Sequence, residues 1–151
     1  MVVIRESKRK DGEPLKKIYA EAFRDEIEKG MESLTAENFV NFSKRPQATI
    51  FVGEENGIAV GHIAISLRKG LPTQIHAVAV KAQFRRQGVG KNLIEEAMKY
   101  AKLAGKKKII LRTRPWNKAM RKVCLDRDFI PEAYLRKELR EEDLIRYTLF
   151  L

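Results

Sequence analysis

The sequence predicts a mixed α/β (α+β) fold, a mostly antiparallel sheet of six or seven strands with helices packed on both faces. Three observations carry that prediction. Asn56-Gly57 separates two apolar segments, Thr49 to Glu54 and Ile58 to Leu67, a strong short-range hairpin signal. From Gln74 onward, strand and helix patterns alternate. At the end of the chain Ala133 to Leu139 and Leu144 to Leu151 alternate as two strands about an acidic turn, Arg140-Glu141-Glu142-Asp143.

The remaining elements follow in chain order. Met1 to Glu6 reads as a short strand. Leu15, Ile18, Tyr19, Ala22 and Phe23 then recur at helical spacing behind Asp11, a candidate cap. A shorter helix is predicted over Ala36 to Phe42, capped by Thr35 and closed by Pro46. After the hairpin, Gly70 and Pro72 punctuate the chain before a central strand, Gln74 to Val80. From Gly88 to Ala104 the apolar period becomes helical, with Glu95 and Lys99 as an outward i,i+4 pair and Gly105 as a left-handed cap. A strand over Lys108 to Thr113 and a helix started by Asn117 complete the order.

At 151 residues, without repeats or a Pro/Gly/Ser-rich linker, residues 1–151 are read as a single domain. A hydrophobic fraction of 44% and a charged fraction of 34% fit a soluble protein with an ionic surface. No run reaches the roughly 18 consecutive apolar residues of a bilayer span. The charged start MVVIRESKRKDGEP lacks the apolar stretch of a secretory signal, so a cytoplasmic location is expected. A lone Cys124 and two histidines, His62 and His76, exclude a disulfide framework and give no reason to expect a metal. The net charge of +11 favours an anionic partner without choosing among nucleic acid, lipid and a phosphorylated cofactor.

The segment that narrows this choice runs from Ile75 to Lys91. A buried strand enters a basic loop, Arg85-Arg86-Gln87-Gly88-Val89-Gly90-Lys91, that opens into an amphipathic helix. The first turn of a helix has unpartnered N–H groups and the positive end of the dipole, which together bind phosphate. Gly88 and Gly90 permit close approach to the backbone, and Arg85, Arg86 and Lys91 supply charge. The spacing excludes a P-loop, because Asn92 follows Lys91 and no glycine lies five residues before Gly90. It also excludes the dinucleotide fingerprint, whose third glycine is replaced by Leu93. The pattern left is Arg-x-x-Gly-x-Gly between a central strand and a long helix.

With that loop in that element order, and with Asn117 followed twelve residues later by Phe129, the chain resembles the GCN5-related N-acetyltransferase (GNAT) superfamily over nearly its whole length. The resemblance implies an acyl-CoA N-acyltransferase fold and acetyl-CoA as cosubstrate. It places the cofactor contacts on the backbone of Val78, Ala79 and Val80, on Arg86, Gln87, Gly88, Val89, Gly90 and Lys91, and on Asn117. It also implies a splay beside the central strand that admits the pantetheine arm, and a main-chain N–H near Val78 that stabilises the oxyanion. The implied reaction is direct attack of an amine on the thioester in a ternary complex.

Three positions depart from the family pattern. Cys124 stands where many members have a tyrosine proton donor, Arg112 where the ribosomal-protein type has a glutamate base, and Asp128 where a glycine precedes the phenylalanine. Cys124 is thus read either as proton donor or as a small core residue. His76, near the expected thioester, is a candidate base or a packing residue. His62 reads as structural, and Glu21, Asp25, Glu26 and Glu28 read as surface charge near the acceptor cleft. Two other functional classes stay open, a non-catalytic acyl-CoA sensor and a basic nucleic-acid-binding module. Against the latter, aromatic and basic residues are not interleaved. The last two strands are available to pair across a homodimer, and the amine acceptor is unnamed by the sequence.

Overall fold

A computed structural model describes residues 1–151. Seven strands form one sheet: β1 (Val3–Glu6), β2 (Ala48–Glu55), β3 (Ile58–Ser66), β4 (Thr73–Val80), β5 (Lys108–Thr113), β6 (Ile130–Leu139) and β7 (Glu142–Phe150). Their spatial order is β1-β2-β3-β4-β5-β7-β6, and β4–β5 is its parallel pair. The five helices are α1 (Gly12–Ala22), α2 (Arg24–Glu28), α3 (Ala36–Lys44), α4 (Val89–Leu103) and α5 (Lys118–Asp126).

The sheet divides the core in two. On one face Val89, Leu93, Ile94, Ala97 and Ala101 of α4 pack with Ile63, Ile65, Ile75, Val78, Ile109 and Leu111. Each fully buried large aliphatic side chain contributes roughly 1.5–3 kcal/mol. Gly61 lets α4 sit close to the sheet, since a Cβ there would meet Val89 and Leu93 side-chain carbons at 3.2 and 3.3 Å. On the other face Leu15, Ile18 and Tyr19 of α1 and Phe39 of α3 cover Ile50, Val52, Ala64 and Ala79. His62 is wholly buried in this layer, between Tyr19 and Phe39, with neither ring nitrogen hydrogen-bonded.

Local chemistry explains the turns. Asn56 and Gly57 both take positive φ, 51° and 77°, as a two-residue hairpin turn of matching twist requires. Thr35 accepts from Asn38 N–H, Asn117 accepts from Met120 N–H, and Gly105 is left-handed at φ 75°.

Four expectations are corrected. Asp11 precedes α1 but does not cap it. Its buried carboxylate accepts from Arg5 Nη1 and Nη2 at 2.8 and 2.9 Å and from Lys8 N–H at 2.6 Å. Burial opposes that charge, but these bonds outweigh it and hold the carboxyl below its usual range. The first helix also breaks at Phe23, so that Arg24–Glu28 forms a separate turn of helix. Glu95 pairs with Arg127 at 3.8 Å, across to the end of α5, instead of with Lys99. Finally, the last turn is only Arg140 and Glu141, both at positive φ. Glu142 and Asp143 belong to β7, where they accept from Arg114 Nε and from Lys137 N–H and Tyr134.

Candidate functional site

The centre of the site is a fork between β4 and β5. The two strands pair only at Thr73↔Ile109, Gln74↔Ile110 and Ile75↔Leu111, although both continue beyond. A bulge in β4 at His76, between the register positions Ala64↔Ala77 and Ile65↔Ile75, lies where they part. On its other edge β4 stays on β3 through Val80↔Gly61. Lys81 N–H donates to the carbonyl of Val60, its opposite residue, at 2.9 Å. Hydrogen-bonding direction alternates along an antiparallel strand. Ala77 and Ala79 therefore also turn their backbone groups to β3, whereas Val78 and Val80 turn theirs into the fork. The Val80 carbonyl accepts from Arg85 Nε at 3.1 Å, consistent with that outward direction.

At the end of β4 a short 3-10 turn, Ala82–Phe84, leads to α4. Glu21 of α1 accepts from Ala82 N–H at 3.0 Å, fixing the turn against the opposite layer. Arg86 and Gly88 both adopt left-handed conformations, φ 60° and 84°, so the backbone reverses tightly before the helix. Gly88 is the N-cap of α4 and supplies no side chain to satisfy the first-turn N–H groups. A Cβ at Gly88 would meet nothing within 4 Å, and one at Gly90 only Val80 at 3.8 Å. The space in front of these donors is open. Arg85, Arg86, Gln87 and Lys91 are exposed around it, while Val89 anchors the turn in the core.

Asn117 caps α5 at the mouth of the fork. Its Nδ2 donates to Glu26 Oε1 at 2.7 Å, and Glu26 is buried. The bond joins α2 on one side of the sheet to the β5–α5 loop on the other. Glu26 and Glu21 are thus structural members of the site, and reading them as surface charge missed both. The usable sequence signal was their position around the first helices, Glu21 at the end of α1 and Glu26 in α2, beside the expected acceptor cleft. No group of three or more His, Cys, Asp or Glu side chains is placed to hold a metal ion, and no helix is long and apolar enough to cross a membrane.

Residues 13–129 match the family model for the acetyltransferase (GNAT) family. The chain belongs to the GNAT family. The same architecture is found in Ard1 from Thermoplasma volcanium, at 20% identity and a TM-score of 0.83, with 99% of this chain and 97% of that one covered. It is found too in yncA from Salmonella typhimurium, solved with its cofactor acetyl-CoA, at 19% identity and TM-score 0.80 over 99% and 94% of the two chains. A third is NAA60 from Arabidopsis thaliana in complex with a bisubstrate analogue, at 16% identity and TM-score 0.79 over 99% and 98%. No curated protein sequence gives a significant match.

Seen as a GNAT chain, the three departures have distinct surroundings. Asp128 has φ 65°, the left-handed conformation for which the family's glycine is suited, and Phe129 N–H closes the helix end on the Cys124 carbonyl at 3.0 Å. Cys124 is 1% exposed within the α4-side core, and burial pushes its thiol up to about 12. Arg112 follows directly on the last β5 residue paired with β4, and so stands at the fork. His76 shares a hydrogen bond of 2.8 Å between Nε2 and Ser66 Oγ, and its ring meets Phe42 edge-on at 5.4 Å. Partial burial, then Arg45, Arg112 and Arg68, lower its pKa from the ordinary histidine value and so favour the neutral ring.

Proposed function

We propose that this GNAT chain is an amine N-acetyltransferase that uses acetyl-CoA. The observation that carries the reading is the combination of the β4–β5 fork with the uncapped first turn of α4 at its mouth. The diphosphate would be held by the N–H groups of Val89, Gly90 and Lys91, with Arg85, Arg86 and Gln87 around it. The pantetheine arm would lie along β4, using the free backbone groups of Val78 and the N–H of Val80 as an added strand would. Ala79, turned to β3, contributes the spacing between them. The open volume at Gly88 and Gly90 supports this fit, as a side chain there would fill the approach.

Acetyl-CoA supplies an acyl thioester activated toward nucleophiles. In the reaction the amine nitrogen bonds to the acyl carbon and the C–S bond breaks, giving an N-acetylamine and the thiol of CoA. The Val78 N–H donates to the acyl oxygen as charge develops on it. His76, neutral and two residues away, roughly 7 Å along the strand, accepts the proton lost by the amine, directly or through one water. A thiol with a pKa of about 8.5 is a good leaving group near neutral pH and needs little protonation help. Cys124 enters this reading as a packing residue, because its thiol is buried. Asn117, tied to Glu26, holds the β5–α5 loop at the mouth of the fork.

The test is a panel of amines and peptides assayed for release of free CoA thiol, run beside Arg86→Glu. Wild type should release thiol with at least one acceptor, and Arg86→Glu should bind acetyl-CoA roughly tenfold to a hundredfold more weakly. Equal binding by the two proteins would remove the cofactor assignment. Tight binding without turnover of any acceptor would favour a sensor.

A further inference from the structure

The face of the sheet opposite α4 is covered unevenly. The helices α1 and α3 pack on β2, β3 and β4. Ile109 and Leu111 point into the α4-side core, so Lys108, Ile110 and Arg112 point to the opposite face of β5, where Ile110 is buried while Lys108 and Arg112 reach solvent. Lys108 and Arg112 lie four residues apart, about 13 Å along a strand. Arg146, opposite Arg112 in register, carries the same charge on β7. Arg45, over the Phe42 ring at 5.6 Å, borders the strip at His76, whose ring meets Phe42, and Arg68 follows two residues after Ser66, the hydrogen-bond partner of His76.

The charge on this strip is poorly compensated. Two arginines away from the strip are closely paired by contrast: Arg5 with Asp11 and Glu54 at 2.8 Å, Arg114 with Glu142 at 2.7 Å. Along the strip Glu132 is shared by Lys108 and Arg146 at 3.4 and 3.1 Å, and Glu138 stands 3.8 Å from an exposed Arg112. Arg45 and Arg68 have no carboxylate partner. The strip begins at the fork, on the side away from α4.

We propose that this strip is the acceptor groove and that it selects a peptide with acidic side chains downstream of the amine to be acetylated. The inference rests on the acetyltransferase reading above and names its substrate class. The groove's length favours an extended chain over a single small amine, because cations separated by roughly 13 Å engage side chains several residues apart. The guanidiniums of Arg45 and Arg68, which have no carboxylate partner, and of Arg112, whose contact with Glu138 is long at 3.8 Å, bind carboxylates through paired N–H donors.

The test compares two peptides alike in length and first residue, one with Asp and Glu after it and one with Lys and Arg, assayed with wild type, Arg112→Glu and the double variant Arg45→Glu/Arg112→Glu. Wild type should favour the acidic peptide at least tenfold in kcat/KM, and the preference should shrink as salt rises. The double variant should lose that preference while its acetyl-CoA affinity stays within twofold of wild type. A preference for the basic peptide, or one that survives double reversal, would overturn the proposal. Turnover of free amino acids or polyamines alone would overturn it too and leave the acetyltransferase reading standing. Loss of acetyl-CoA binding by wild type would instead sink that reading. Should no acceptor turn over, binding of a fluorescein-labelled acidic peptide to the CoA-saturated protein decides: binding abolished in the double variant upholds the groove, and no binding refutes it.

Discussion

The two edges of β4 are made of the same small apolar residues and do opposite things. Toward β3 the strand is paired through six register positions, from Gln74 to Val80. Toward β5 it is paired through three and then released. The difference lies in direction and not in composition. Ala77 and Ala79 spend their backbone groups on the sheet, while Val78 and Val80, one residue away in each case, present theirs to the fork. A surface able to pair with an extended ligand can therefore be made of backbone alone, provided one edge of a buried strand is held firmly enough to leave the other free.

Proline substitution separates the two edges most sharply. Ala79→Pro removes a ladder donor to β3 inside the core and is expected to cost about 3 kcal/mol or more, read as a lowered urea midpoint. Val78→Pro removes a donor that β3 never uses. It should be the less destabilising of the pair, yet turnover should fall by roughly a hundredfold in the thiol-release assay. Equal loss of stability in the two variants would break the comparison.

His62 sharpens it from the paired side, since it lies opposite Ala79 on β3. Burial without a partner lowers its pKa to about 4, against about 6.5 for an unfolded histidine. The unfolded chain thus takes up a proton that the folded chain refuses. Stability is fully present above pH 6.5 and is lost as pH falls toward 4, by about 3 kcal/mol. In His62→Leu that slope between pH 6.5 and 4 should flatten, with the Arg5–Asp11 contribution lost only at lower pH. Denaturant unfolding at a series of pH values measures it.

On the free side, Gly90→Val should leave the melting temperature within a few degrees, since its Cβ meets only Val80. Acetyl-CoA affinity should drop about tenfold, close to 1.4 kcal/mol, by calorimetry. The smallest effect is expected at Cys124. Cys124→Ala should cost about 1 kcal/mol as a small core truncation and leave kcat unchanged from pH 6 to 9.

What was legible in the sequence was whatever local chemistry specifies. Asn56-Gly57 fixed a turn because two consecutive positive φ values suit those residues, and Val89 to Ala104 showed its helical face by spacing alone. The loop from Arg85 to Lys91 could be recognised because glycine and charge sit together between two elements. Charged residues used at a distance were misread. Asp11, Glu26 and Glu142 look like cap, surface and turn residues along the chain, and only tertiary contacts with Arg5, Asn117 and Arg114 reveal their work. The fork itself followed from family resemblance, since no local pattern announces where two parallel strands will part.

An amide-resolved titration with CoA bears most directly on the claim that the free edge of β4 and the first turn of α4 form one site. In a two-dimensional NMR spectrum the largest saturable shifts should fall on Val78, Val80 and Gly88 to Lys91, with Ala77 and Ala79 moving much less. Saturation with the strongest shifts elsewhere, on α5 or the β6–β7 hairpin, would contradict it.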